Sequence, residues 1–84
     1  MIFKYAEVRC ILKILNMLNN GKSRYGIMFK ETKVSHTTLQ SVLRYLLTKK
    51  FIKRIESDYK VVDYEITKKG KELLEKLEDL KDIL

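Results

Sequence analysis

The chain has 84 residues, of which 45% are hydrophobic and 35% charged, and its formal net charge is +7. This length suits one small domain, and the composition is that of a folded protein and excludes a disordered one. No apolar run approaches the roughly 18 residues that cross a bilayer, and residues 1–10 lack the pattern of a signal peptide. We therefore expect a cytoplasmic protein. Because so small a core stabilises weakly, dimerisation would help the fold.

The positive charge is concentrated in the first three quarters of the chain. Residues 67–84 contain five lysines and five acids, so residues 1–66 carry the whole excess, with 13 cationic and 6 acidic residues. Between Lys22 and Arg54, nine cationic residues accompany Glu31 as the only acid. A basic surface of this kind favours a polyanionic partner, although many small proteins are basic.

The first predicted helix runs from about Lys4 to Asn19. Apolar residues recur in it at helical spacing and mark one face, namely Val8, Ile11, Leu12, Leu15 and Leu18. The sequence of residues 19–21, Asn-Asn-Gly, predicts its end, because asparagine and glycine tolerate the left-handed conformation that closes helices.

A shorter second helix is predicted over about residues 24–32. Ser23 is its expected N-cap, and Ile27 and Met28 should face inward. Residues 33–34 then form a turn, with the valine tucked into the core.

Ser35 is the predicted N-cap of a third helix that runs to about Lys49. The apolar face of this helix consists of Leu39, Val42, Leu43, Leu46 and Leu47. The opposite side carries only groups that can form hydrogen bonds or pair with anions, and the segment from residue 35 to residue 54 contains no acid.

A β-hairpin is predicted after the third helix. Residues 51–56 and 61–66 are rich in β-branched and aromatic side chains, and in the second segment they alternate with acids. Residues 57–60 predict the turn.

A final helix is predicted to begin after Thr67, its expected N-cap. Its leucines at spacing 4, 3, 4 form a coiled-coil seam of Leu73, Leu77, Leu80 and Leu84. The seam can fold back on the first helix within one subunit, or pair with the same helix of a second subunit.

Three helices followed by a hairpin form a winged helix-turn-helix, a mainly α fold with a small β-hairpin. The stretches VSHTTLQSVLRYLLTKKFI (34–52) and YEITKKGKELL (64–74) resemble the archaeal winged-helix DNA-binding proteins, which are small basic dimers with a C-terminal coiled-coil helix. More distantly, the chain is similar to MarR-like and PadR-like regulators. The resemblance implies a DNA-binding domain over residues 1–66 and a dimerisation helix over residues 67–84.

The chain departs from the family pattern at two points. Lys50 stands where the family usually has glycine, so this lysine must take a left-handed conformation or change the turn. Arg24, Tyr25 and Gly26 stand where the second helix of the family often begins with threonine.

The third helix has the properties that the major groove of DNA requires, because the groove admits one α-helix with a polar face toward the bases. The residues expected to face the groove are His36, Thr37, Thr38, Gln40, Ser41, Arg44 and Tyr45. The predicted base contacts among them are His36, Thr37, Gln40 and Ser41, and Arg44 is expected to bind a guanine or a phosphate. The predicted phosphate contacts are Lys22, Arg24, Lys30, Lys33, Lys53, Arg54 and Lys60.

Several of these residues also have a plainer interpretation. A polar helix face is often only a solvated face. His36 can be an exposed residue whose ring caps the helix, and Tyr45 can rest on its own helix. Tyr59, at the hairpin tip, can enter a minor groove or pack across the turn.

The sequence contains no catalytic or metal-binding constellation. One cysteine and one histidine, Cys10 and His36, form neither a nucleophile–base pair with an orienting group nor a metal site. We expect no enzyme activity, no cofactor and no small-molecule ligand. Cys10 is interpreted as a small apolar residue of the first helix, the alternatives being an intermolecular disulfide or a redox switch.

The leading hypothesis from the sequence is a homodimeric double-stranded DNA-binding protein, a transcriptional regulator that associates with the nucleoid. The alternatives are a winged helix used for protein or RNA interaction, and a sequence-independent chromatin protein.

Overall fold

The computed structural model describes residues 5–57, 59 and 61–83, and the side chains of residues 7–57, 59 and 61–80. The elements within these residues are α1 (Tyr5–Asn19), α2 (Tyr25–Thr32), α3 (His36–Thr48), β1 (Ile52–Glu56), β2 (Val62–Ile66) and α4 (Lys68–Ile83). This order confirms the predicted mainly helical fold with one hairpin. None of the described helices is long and apolar enough to cross a membrane.

The core lies between α1 and α3, and the hairpin and α4 close it. The buried side chains of α1 are Cys10, Ile11, Ile14, Leu15 and Leu18. Those of α3 are Leu39, Val42, Leu43 and Leu46. Full burial of one such side chain stabilises the fold by about 1.5–3 kcal/mol. The predicted apolar faces of both helices are therefore confirmed, with Val8, Leu12 and Leu47 half-buried at their edges.

The start of α2 differs from the prediction. The N-cap is Arg24, in an extended conformation and without a side-chain hydrogen bond, so Ser23 as the cap was wrong. Ser23 instead pairs with β2, since its N–H donates to the Tyr64 carbonyl at 3.0 Å and its carbonyl accepts from Tyr64 N–H at 2.7 Å. Ile27 as an inward residue was also wrong, because it is 52% exposed and Met28 alone is buried on this short helix.

Both ends of α3 follow from local chemistry. The Ser35 hydroxyl accepts from the backbone N–H of Thr38 at 3.2 Å, which confirms the predicted cap. At the other end Lys50 has φ 63°, the left-handed alternative expected where the family has glycine. That conformation turns the chain so that the N–H of Phe51 donates to the Leu46 carbonyl at 2.9 Å.

The β1–β2 hairpin is antiparallel, with Ile52 opposite Ile66 and Arg54 opposite Tyr64. Its ends close through Ser57, whose N–H donates to the Val61 carbonyl at 2.9 Å. The hairpin thus stands directly behind α3 in the chain, as predicted.

Thr67 joins the hairpin to the start of α4. Its hydroxyl oxygen accepts from Gly70 N–H at 3.0 Å, which confirms the predicted cap, and its hydroxyl lies 2.7 Å from the Lys50 carbonyl. Gly70 is buried against the same turn: a Cβ there would overlap the Phe51 carbonyl and lie 2.7 Å from Ile66 Cγ1. The first turn of α4 therefore packs closely on the chain that leaves α3.

The leucines of α4 divide between the core and the surface. Leu74 is buried, Leu73 and Leu77 are half-buried against the core, and Leu80 is 53% exposed. Leu84 lies outside the described residues. The fold of a single chain therefore covers only part of the described leucines of the predicted seam.

Cys10 lies inside the core at 4% exposure. Burial, and secondarily the nearby Glu7 carboxylate, raises the pKa of its thiol to about 11. A thiol in this state is a poor nucleophile, which supports the interpretation of Cys10 as a small apolar residue.

Candidate nucleic-acid interface

The polar side of α3 is open to solvent over its whole length. The exposed residues on it are His36, Thr37, Gln40, Ser41, Arg44 and Thr48. Two further residues predicted for this face are half-buried: Thr38, whose hydroxyl accepts from Ser35 Oγ at 3.1 Å, and Tyr45, whose ring lies 6.2 Å from that of Phe51. Most of the Thr38 and Tyr45 side chains therefore do not belong to the exposed face of α3.

The first residue of α3 is held by two aromatic rings of α2. The His36 ring stacks on Phe29 with 3.7 Å between ring centroids and an interplanar angle of 7°. The Tyr25 hydroxyl lies 2.9 Å from His36 Nδ1, within hydrogen-bond distance. His36 is therefore both exposed and fixed in orientation. Sequence reasoning could not find this contact, because the three residues meet only through the angle between α2 and α3.

The cations before α3 fall into two groups. Lys22 Nζ and Arg24 Nε lie 3.8 Å and 3.5 Å from the carboxylate of Asp63 on β2. Lys30 and Lys33 are exposed and form no ion pair with another described residue. The pairing with Asp63 depends on the contact of residues 22–24 with the hairpin, which sequence spacing does not reveal.

The cations of the hairpin also have acidic neighbours. Lys53 Nζ lies 3.7 Å from Glu65, and Arg54 lies 3.4 Å from Glu56. All four side chains are at least 37% exposed, and such pairs contribute about 0–1 kcal/mol, so an incoming anion can replace the acid at little cost. Lys60 lies outside the described residues. Tyr59 is 89% exposed, so it does not pack across the turn.

Arg44 differs from these cations. It is exposed near the middle of α3, the helix has no acid, and the described residues offer it no ion pair. Its full charge is therefore available to a partner. No group of three or more potential metal ligands occurs among the described residues.

Comparison with known proteins agrees with this architecture. A family model described as winged helix-turn-helix matches residues 4–84, which is nearly the whole chain. The chain belongs to the winged helix-turn-helix family. No curated protein sequence matches it.

Solved structures with a similar fold include proteins described as transcriptional regulators. BldR from Sulfolobus solfataricus aligns with TM-score 0.80 and 19% identity over 89% of this chain, and this chain spans 56% of BldR. The regulator Cth-833 from Clostridium thermocellum aligns with TM-score 0.83 and 19% identity over 98% of this chain and 90% of its own. The proposed regulator ytfH from Salmonella typhimurium aligns with TM-score 0.75 and 26% identity over 88% of this chain and 69% of its own.

Proposed function

We propose that this winged helix-turn-helix protein binds double-stranded DNA as a homodimer and regulates transcription, with α3 in the major groove and the hairpin on the flanking backbone. The observation that carries the proposal is the exposed, acid-free face of α3, on which Arg44 has no ion pair among the described residues. A helix of this kind fits the major groove, whose base edges offer hydrogen-bond donors and acceptors. The proposal includes residence in the cytoplasm, association with the nucleoid and the archaeal origin that the resemblance implies.

The base contacts in this proposal come from the first half of α3. Thr37, Gln40 and Ser41 have exposed polar side chains, which suits direct contact with base edges. His36 belongs to the same group, with its ring already oriented by Phe29 and Tyr25. A ring that is held in place loses little conformational freedom when it binds.

The backbone contacts come from the cations around α3. Lys30 and Lys33 supply full charges, whereas Lys22, Arg24, Lys53 and Arg54 have to exchange an acid for a phosphate. We expect Lys22 and Arg24 to contribute less to DNA affinity than Lys53 and Arg54. Both lie near the Asp63 carboxylate, and the Asp63 side chain is only 16% exposed. Lys60 and the groove-facing parts of Thr38 and Tyr45 complete the proposed contacts.

The dimer in this proposal forms through α4. Leu77 and Leu80 line a groove of about 850 Å³ together with Val8, Leu12 and Met17 of α1, and polar side chains that include Arg9, Lys13 and Lys33 also border it. Leu73 and Leu84 extend the same leucine repeat. A second copy of the chain would cover Leu80, and a two-fold axis would hold two α3 helices about 34 Å apart, one turn of DNA. Residues 67–84 thus act as the dimerisation helix behind a DNA-binding domain of residues 1–66.

The test is selection of bound duplexes from a random pool, followed by titration of the enriched duplex at several salt concentrations. We expect a palindromic sequence and an affinity that falls by a factor of roughly 10³–10⁵ between 50 mM and 200 mM salt, as for six to ten phosphate contacts. Binding without sequence enrichment would identify a chromatin protein instead of a regulator. A weak interaction that salt barely changes would contradict DNA binding and favour a protein-interaction module.

A further inference from the structure

A cleft of about 480 Å³ lies between the polar face of α3 and the hairpin. Its α3 side carries Gln40, Arg44 and Thr48, which follow one another at one-turn spacing. Its hairpin side carries Arg54 and Tyr64, which face each other across the strand pair. Two arginines that are ten residues apart in sequence thus line one space.

The charge of this cleft is entirely positive. No carboxylate is among the residues that line it, and Arg44 has no ion pair among the described residues. Arg54 lies 3.4 Å from Glu56, but both side chains are more than half exposed and Glu56 does not line the cleft. An anion that enters can therefore displace Glu56 and bind both guanidinium groups.

The neutral lining also suits a sugar-phosphate unit. Leu43 and Leu47 provide an apolar surface, and the volume equals that of more than a dozen water molecules at about 30 Å³ each. Tyr64 contributes a hydroxyl that forms no hydrogen bond with another described residue. The Tyr25 hydroxyl, by contrast, is already within hydrogen-bond distance of His36.

We propose that this cleft binds one phosphodiester of the DNA backbone through Arg44 and Arg54 together. Guanidinium groups bind phosphate oxygens in pairs, and two of them around one phosphate hold the helix and the hairpin at a fixed spacing on the duplex. The inference rests on the proposed function and deepens it. The sequence left open whether Arg44 binds a guanine or a phosphate, and the inference assigns it to the phosphate. Arg44 therefore contributes equally to the affinity for every DNA sequence.

The experiment compares Arg44→Ala, Arg54→Ala and the double variant by fluorescence anisotropy over a range of salt concentrations. Each protein is titrated with the enriched duplex and with an unrelated duplex of equal length. The slope of log K against log salt counts the phosphates neutralised, at about 0.9 each. We expect the double variant to lower the slope by about 0.9 per bound subunit, and each single variant to lower it by clearly less, because the remaining arginine still neutralises the shared phosphate. Lys76→Ala, which removes an exposed lysine of α4, should leave the slope unchanged.

A second measurement locates the phosphate. The phosphodiester linkages of the duplex are replaced one at a time by neutral methylphosphonate. We expect the replacement of one particular linkage to weaken DNA binding by the wild-type protein. The same replacement should leave the binding of the double variant unaltered. Circular dichroism of each variant checks the fold, which two exposed side chains should not disturb.

Two outcomes would overturn the shared site. In the first, each single variant lowers the slope by about 0.9 and the double variant by about 1.8, which means two separate phosphates. In the second, Arg44→Ala weakens binding of the enriched duplex alone, which means that Arg44 contacts a base. A wild-type protein without steep salt dependence would instead refute the proposed function itself, so the two failures are distinguishable.

Discussion

The Tyr25 hydroxyl on α2 lies 2.9 Å from Nδ1 of His36, the first residue of α3. This contact and the stacking of His36 on Phe29 tie the beginning of α3 to the preceding helix. The angle of α3 on the domain therefore depends on side chains that are themselves partly exposed. In a DNA-binding protein, such a contact acts on recognition through the orientation of the helix.

Tyr25→Phe separates the hydrogen bond from the stacking. It keeps the ring and removes the hydroxyl, so the free energy of unfolding should fall by at most about 1 kcal/mol. His36→Ala removes the ring. We expect it to lower the affinity for the enriched duplex at least tenfold and the affinity for an unrelated duplex by much less, as loss of a base contact requires. If His36→Ala instead weakened the binding of both duplexes equally, His36 would position α3 and would not contact a base.

Gly70 and Gly26 should respond to alanine with opposite signs. At Gly70 a Cβ would overlap the Phe51 carbonyl, so Gly70→Ala should destabilise the protein by about 1–3 kcal/mol through overpacking. At Gly26, also helical, nothing lies within 4 Å of the new Cβ, so Gly26→Ala should stabilise by up to about 1 kcal/mol. Thermal unfolding by circular dichroism measures both, and equal effects would show that Gly70 is not packed as described.

The two lysines with positive φ store conformational strain. Lys33, which ends α2, has φ 57°, and Lys50, which follows α3, has φ 63°. A left-handed conformation costs a residue with a Cβ about 1–2 kcal/mol. Glycine escapes that cost but loses more chain entropy on folding, so Lys50→Gly should stabilise by about 0.5–1 kcal/mol. Lys50→Val should destabilise, because a β-branched residue fits this conformation worst. A lower melting temperature for Lys50→Gly would contradict the observed turn.

The Cys10 thiol predicts a pH window for stability. Its pKa rises from 9.0 to about 11 in the fold, so the folded protein retains a proton that the unfolded chain loses. That contribution, up to about 2–3 kcal/mol, is complete below pH 9 and is lost as the pH rises toward 11. Cys10→Ala removes this titration. Chemical denaturation from pH 8 to 11 should therefore show that the free energy of unfolding falls more for the wild type than for Cys10→Ala. A pH-independent difference between the two proteins would contradict the raised pKa of the thiol.

The dimer proposal predicts that Leu80→Glu yields monomers. Leu80 is 53% exposed in the single chain, and a carboxylate buried in an interface would lack a partner. Ile27→Glu is the matched control, because Ile27 is 52% exposed and belongs to α2 and not to the leucine repeat of α4. Analytical ultracentrifugation at micromolar concentration should show dimers for wild type and Ile27→Glu. Dimers that persist in Leu80→Glu would exclude this surface.

The sequence predicted the parts of the fold that depend on neighbours along the chain. The periods of Ile11, Leu15 and Leu18 and of Leu39, Val42 and Leu46 identified the buried faces of α1 and α3. Ser35 and Thr67 were recognisable as caps, because a cap needs only residues within one turn. The conformation of Lys50 followed from a comparison with the glycine that the family usually has there.

The features that the sequence missed join distant residues. Ser23 caps no helix because the hairpin offers its backbone a partner at Tyr64, 41 positions later. Asp63 approaches Lys22 and Arg24 for the same reason, and this lowers the charge expected before α3. A helical wheel could not decide between Leu74 and the seam leucines, since their burial depends on where α4 crosses α1.

The most direct test of the account is an acid at the centre of the α3 face. Ser41→Glu introduces a carboxylate on an exposed position of the acid-free face, where it would meet the negatively charged groove. Lys76→Met on α4 changes the net charge by the same one unit. Measured by anisotropy at 100 mM salt, Ser41→Glu should weaken duplex binding at least a hundredfold and Lys76→Met less than threefold. Equal affinities of the two variants would contradict insertion of α3 into DNA.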